Sequence, residues 1–165
     1  MNYKNVKFGE IEAFNVVIEI PQGSQKKIEY DEELDDFKLN FTFWGDCKFP
    51  DNYGFVPETK AGDGDTLDVI VLNPKPLETG TVVVCRAVGI METLDRGEVD
   101  NKLVAIPVGC KEYEKIQDIK DLPAGFEEKY REFYRLVAIQ KKKIIEIKGV
   151  FGKEKAIEEL NKSRI

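Results

Sequence analysis

Apolar and polar positions alternate along this chain with two different periods, and the change of period divides it. Most of the first 110 residues read as strands and turns, and the clearest alternation has a period of two. Phe37, Leu39, Phe41 and Phe43 alternate with polar neighbours, the pattern of a half-buried strand. Asn15 to Ile20 is β-rich and bounded by Pro21. A turn around Gly23-Ser24 then leads into Lys27 to Asp31, read as its hairpin partner. Val69 to Leu72, Thr81 to Ile90 and Leu103 to Val108 are further strands. The period turns helical late. Pro123 suits a first helical turn with Asp121 just ahead of it, and Phe126, Tyr130, Phe133, Tyr134 and Val137 recur at helical spacing. Ile144 to Lys148 reads as a strand, and Lys153 to Lys162, with Ala156, Ile157 and Leu160 on one face, as a terminal helix. Many short strands in a chain this size indicate a sandwich or small barrel. With the helices, the expected class is mainly β with flanking helices (α+β): a β-barrel with two main α-helices packed outside.

No repeat, linker or low-complexity segment interrupts the 165 residues, so one domain spanning 1–165 is expected. The net charge of −6 speaks against a general nucleic-acid surface. Cys47, Cys85 and Cys110 are too few and too scattered for a disulfide framework or a zinc site. Residues 1–10 lack the pattern of a signal peptide, and no apolar run spans a bilayer. A cytoplasmic protein without membrane contact is the expectation. The chain has no histidine. This excludes histidine-based triads and histidine-ligated zinc. Acid–base chemistry then falls to carboxylates, tyrosine, lysine or water activated by a metal. Any metal site would be built mostly of oxygen, suiting Mg²⁺, Mn²⁺ or Ca²⁺.

Against that background, Gly62-Asp63-Gly64-Asp65-Thr66-Leu67-Asp68 stands out at the mouth of an apolar strand. Two unit charges ~4 Å apart repel by about 4 kcal/mol at an effective dielectric of ~20. Such a cluster faces water or surrounds a cation; alone, it is more often a solvated turn. Asp95-Arg96-Gly97-Glu98-Val99-Asp100-Asn101-Lys102 lies between two strands, with Gly97 at an expected hairpin tip. Glu19 interrupts an apolar strand, where an unpaired buried carboxylate costs several kcal/mol. The expected hairpin would bring Lys27 and Glu29 to one face beside it. Lys48 to Phe55 is a rigid loop with aromatics, in which Tyr53 could donate to a phosphate oxygen or simply pack. Tyr134-Arg135 adds a helical arginine suited either to phosphate or to the surface.

Taken together and in order, these segments resemble the soluble, magnesium-dependent inorganic pyrophosphatases. Asp63-x-Asp65-x-x-Asp68-Val69 matches that family's signature. The likeness extends through Val17 to Pro21, Lys27 to Asp31, Pro50-x-Asn52-Tyr53-Gly54, Cys85 to Gly89, Asp95 to Lys102 and, more weakly, Tyr134-Arg135. The resemblance implies a five-stranded, OB-like barrel flanked by helices. It implies hydrolysis of pyrophosphate to two orthophosphates, with several Mg²⁺ ions (Mn²⁺ as the alternative) and a metal-bound hydroxide as nucleophile. Asp63, Asp68 and Asp100 would hold the tightest Mg²⁺, with Asp68 reaching a second ion. Asp65 would take the proton of the water. Glu19, Glu29, Asp95 and Asp100 would serve ions that arrive with substrate. Lys27, Lys102, Tyr53, Tyr134 and Arg135 would hold the phosphates. A homo-oligomer, a hexamer by resemblance, is also implied.

Two positions depart from the family. Phe41 stands where most members have a phosphate-binding arginine, and Phe49 where Tyr is usual before Pro50. A hydrogen bond to a charged group is worth about 1.5–3 kcal/mol, so the lost arginine calls for a replacement. Lys48 and Lys26 are the candidates in sequence. Two other readings accompany the first: a diverged hydrolase of nucleotides or polyphosphate, and a non-catalytic binding module on an OB-like barrel.

Overall fold

The computed structural model describes residues 2–165. The chain forms β1 (Gly9–Glu10), β2 (Ala13–Ile20), β3 (Lys26–Asp31), β4 (Asp36–Thr42), β5 (Asn52–Val56), β6 (Leu67–Val71), β7 (Val82–Asp95), β8 (Glu98–Val99), β9 (Lys102–Pro107), α1 (Phe126–Lys141), β10 (Ile145–Gly152) and α2 (Lys153–Ser163). Strands β2, β5, β6, β9 and β7 pair in that order, and β7 pairs back to β2. The expected five-stranded barrel is therefore closed. Only β6 and β9 of this ring run parallel. Closure demands close approach at Gly54, where a Cβ would lie 2.1 Å from the Val17 carbonyl oxygen. No side chain fits there.

The two helices bury against different sets of barrel residues. Ala156 and Leu160 of α2 bury against Phe14, Val16, Leu67 and Val69. Tyr130, Phe133 and Val137 of α1 bury against Ile20, Phe49, Ile70 and Val104. Burial of each large apolar side chain is worth about 1.5–3 kcal/mol, so the helical period seen in sequence is the contact stripe itself. A carboxylate anchors α1 as well: the Tyr130 hydroxyl donates to Asp51 Oδ2 at 2.7 Å and Lys129 Nζ lies 3.1 Å from it. No helix among the described residues is long and apolar enough to cross a membrane.

Three local expectations are corrected. Strand β3 is not the hairpin partner of β2, because both edges of β2 are taken by β5 and β7 in closing the barrel. It pairs instead with β4 as a separate two-stranded sheet. That pair carries a bulge: Lys27 faces Phe41 and Ile28 faces Leu39, leaving Asn40 unpaired. The alternation breaks there, and Leu39 is 54% exposed. Pro123 does not open α1. The helix begins after Gly125, at φ 97°, while Asp121 closes a separate 3₁₀ turn over Ile119–Asp121 capped by Asp118.

Candidate active site

One rim of the barrel gathers the acidic segments. The parallel pairing of β6 with β9 places the starts of the two strands side by side, so Asp68 and Lys102 are direct cross-strand neighbours. The β3–β4 hairpin folds over the same rim with Lys27 and Glu29. Glu19 comes from β2, Tyr53 from β5 and Tyr134 from α1. The cleft between them measures about 1050 Å³. That is the upper end of the ~300–1,000 Å³ of small-molecule sites, so a small anion can enter together with ions or water.

Local chemistry fixes the two acidic loops. Buried Thr59 donates to the Val56 carbonyl at 2.6 Å and accepts from Leu67 N–H at 2.9 Å, clipping the loop of residues 57–66 to the strands at both ends. The loop turns at Gly64, at φ 89°, while Asp63 Oδ1 accepts from Asp65 N–H at 3.0 Å. The second loop is the hairpin expected from sequence. Arg96 and Gly97 at φ 52° and 83° form its two-residue turn, closed by the pairing of Asp95 with Glu98. Beyond it, the buried Thr93 hydroxyl donates to the Asp100 carbonyl oxygen, and Asp100 N–H returns a bond of 2.9 Å to the Thr93 carbonyl. Thr59 and Thr93, both buried in the wall of the cleft, thus set the acids through bonds to the backbone. Neither has a sequence signal beyond being a threonine in or beside a strand.

The charges of the rim do not balance. Lys102 Nζ lies 2.9 Å from Asp100 Oδ2 and 3.7 Å from Asp68 Oδ2. Tyr53 donates to Asp68 Oδ2 at 2.8 Å. The Tyr53 and Tyr134 rings face the same ammonium at 5.9 and 5.7 Å. Burial would lower the Lys102 pKa, but Tyr134, Asp68 and Asp100 outweigh it and hold the ammonium charged. Even so, burial and the nearby Asp100 leave the Asp68 carboxyl at about 6 against the pull of Lys102. Glu19 is pushed up to about 8 by burial and then by Asp68, despite the Tyr30 N–H donating to its Oε2 at 2.8 Å. Burial, Asp63, Glu29 and Asp100 raise Asp65 as well. Carboxyls held this high want more positive charge than the chain supplies. The donors are oxygens throughout, which suits hard divalent cations. Among the described residues no three acids already stand close enough to hold an ion. Lys102 sits between Asp68 and Asp100, and Lys143 Nζ holds Asp95 Oδ2 at 2.6 Å.

Most of the residues singled out in sequence line this cleft: Glu19, Lys27, Glu29, Tyr53, Asp63, Asp65, Asp68, Asp95, Asp100, Lys102 and Tyr134. Arg135 does not. One residue beyond Tyr134, it lies on another face of α1, where its Nη2 is 2.7 Å from Glu132 Oε1 at the surface. Lys26 and Lys48 are exposed and outside the cleft, so neither replaces the charge absent at Phe41. Phe49 is 5% exposed and packs on Phe43 and Phe133, which makes it chiefly a core residue. Arg86 braces the barrel, donating to the Tyr113 and Ile116 carbonyls.

Known proteins resemble this chain in sequence and fold. The family model described as inorganic pyrophosphatase matches residues 16–164. The inorganic pyrophosphatase of Thermoplasma volcanium is 35% identical over 157 residues, 93% of each chain. That of Thermus thermophilus is 35% identical over 164 residues, covering 96% of this chain and 94% of the relative. Among solved structures, the inorganic pyrophosphatase of Coxiella burnetii superposes with a TM-score of 0.90 at 40% identity, covering 96% of this chain and 97% of its own. With the matched span reaching from β2 to the end of α2, the chain belongs to the inorganic pyrophosphatase family.

Proposed function

We propose that this chain hydrolyses inorganic pyrophosphate to two orthophosphates in the rim cleft, with divalent cations, Mg²⁺ first among them, held by its carboxylates. The observation that carries the reading is the surplus of acid at Glu19 and Asp68, set against a bank of cationic and hydroxyl groups in one cleft. Asp63, Asp68 and Asp100 would hold the tightest ion, and Glu19, Glu29 and Asp95 those that enter with substrate. Bound there, Mg²⁺ supplies positive charge to the substrate oxygens and makes a water more acidic.

The residues of the chain do the rest. Lys27 and Lys102 offer ammonium groups to the phosphates, and Lys102 arrives as a cation because its carboxylate neighbours keep it protonated. Tyr53 and Tyr134 stay neutral hydroxyl donors, since burial raises both phenols. Asp65 takes the proton of the attacking water; its raised pKa makes it a better base than an ordinary surface carboxylate. The water oxygen bonds to one phosphorus, the bond from that phosphorus to the bridging oxygen breaks, and its electron pair leaves with the second phosphate. Charge gathering on that leaving group is met by the lysines and tyrosines.

A substrate panel tests the reading. Pyrophosphate, ATP and tripolyphosphate are compared in Mg²⁺ and in chelator. Release of phosphate from pyrophosphate above the other two, abolished by chelator, is expected; no release above the chelator control overturns it. The same reading includes a homo-oligomer, a hexamer by resemblance, supported by the exposed apolar pair Ile139 and Ile144 beside one groove. Light scattering that finds only monomer would reject that part.

A further inference from the structure

Six lysines line the cleft; Lys4 and Lys60 are exposed, and the four that are at least partly buried differ in one respect. Lys27 lies 3.0 Å from Glu29 Oε1, Lys102 2.9 Å from Asp100 Oδ2 and Lys143 2.6 Å from Asp95 Oδ2. Lys141 has no carboxylate partner among the described residues. Its ammonium meets the Asn40 amide oxygen at 3.5 Å and the face of the Phe41 ring, 5.4 Å from its centroid. Both contacts come from the bulge in the β3–β4 hairpin, where Asn40 is the extra residue.

Helix geometry explains how Lys141 reaches the cleft while Arg135 does not. Tyr134, Val137 and Lys141 are spaced i, i+3, i+7 and share one face of α1, and all three line the cleft. The helix stops there because Lys142 takes a left-handed conformation at φ 54°. The chain then doubles back and brings Lys143 to Asp95. Burial, followed by the charges of Lys27 and Lys143, pushes the Lys141 ammonium down to about 8. Glu29 offsets this only in small part, and it is already paired with Lys27, as Asp95 is with Lys143. A half-buried cation beside two others, with no ion pair of its own, is stabilised by an incoming anion.

We infer that Lys141 is a phosphate-binding residue of this enzyme, seated by Asn40 and Phe41 and facing the end of the substrate held near Lys27. The inference rests on the pyrophosphatase reading and adds a residue that the family resemblance does not assign. It also accounts for Phe41. The ring presents its face to the ammonium, so the charge at this corner comes from α1 instead of β4.

The test compares wild type, Lys141→Met, Lys141→Gln, Lys141→Arg and the exposed control Lys148→Met. Two readouts are taken: steady-state phosphate release from pyrophosphate at saturating Mg²⁺, and calorimetric binding of inorganic phosphate. The neutral variants are expected to raise KM and weaken phosphate binding by about 10-fold, with kcat falling less. Lys141→Arg should restore most of both, and Lys148→Met should change neither. Neutral variants that keep wild-type KM and phosphate affinity overturn the inference. So does an arginine variant as impaired as the neutral ones, since packing and not charge would then be at stake. A wild type that releases no phosphate sinks the pyrophosphatase reading, and the phosphate titration alone then decides on Lys141.

Discussion

Replacing Glu19 by glutamine should make the metal-free protein more stable. Glu19 is 8% exposed, and its pKa rises from the ordinary 4.5 to about 8 through burial and then through the charge of Asp68. Between those two pH values the folded protein keeps a proton that the unfolded chain has released. Stability therefore falls as pH rises through this window, and the whole cost is present above about 8. At about 1.4 kcal/mol per pKa unit, shared with a coupled neighbour, the cost is about 2–5 kcal/mol. Glutamine keeps the shape, and its amide oxygen can still accept from Tyr30 N–H. In chelator at pH 9, Glu19→Gln should melt ~5–15 °C above wild type, using ~2–4 °C per kcal/mol for a chain this size. At pH 5 the two should nearly coincide. Excess Mg²⁺ should stabilise wild type more than the mutant, since only wild type keeps the carboxylate that an ion would neutralise. Equal melting temperatures at pH 9 in chelator would mean that no strained carboxylate exists at this position.

Other positions follow from the same geometry. Tyr130→Phe removes the hydroxyl that meets Asp51 at 2.7 Å and should destabilise the fold by about 1–3 kcal/mol in urea titrations, loosening α1. Gly54→Ala puts a methyl 2.1 Å from the Val17 carbonyl oxygen, so the barrel should fail to close and the variant should be recovered insoluble or with a melting temperature far below wild type. Thr59→Val deletes both bonds that clip the loop of residues 57–66, and phosphate release should drop more than the melting temperature does, because the acids of that loop lose their fixed entry to β6.

The sequence carried the acids better than it carried their supports. Asp63, Asp65 and Asp68 are legible because their spacing is local and their crowding is expensive without a cation. The Arg96-Gly97 turn is legible for the same reason: two residues with left-handed backbone between paired strands leave few alternatives. The partner of β3 was not legible, since Gly23-Ser24 signals a turn but says nothing about whether β2 still has a free edge once the barrel closes. The start of α1 was misplaced because Pro123 and Asp121 carry a helix-start signal that the 3₁₀ turn over Ile119–Asp121 uses up. Lys141 and Lys143 were invisible for another reason. Their contacts at Asn40 and Asp95 lie far off along the chain, and only the closed fold brings the end of α1 to the cleft. Arg135 looked suitable by type and position, yet one residue along a helix turns a side chain by about 100°. That rotation places it outside.

Phosphate release from pyrophosphate by wild type and Asp65→Asn, in saturating Mg²⁺ near neutral pH, shows whether the carboxylate of Asp65 takes the proton of the attacking water. The substitution nearly preserves shape and removes only the carboxylate assigned to the proton of water. A loss of about 10²–10⁴ in kcat is predicted, the usual worth of a positioned base, with melting temperature and Mg²⁺ affinity retained. A folded, Mg²⁺-binding Asp65→Asn that turns over at the wild-type rate would mean that Asp65 is not the base.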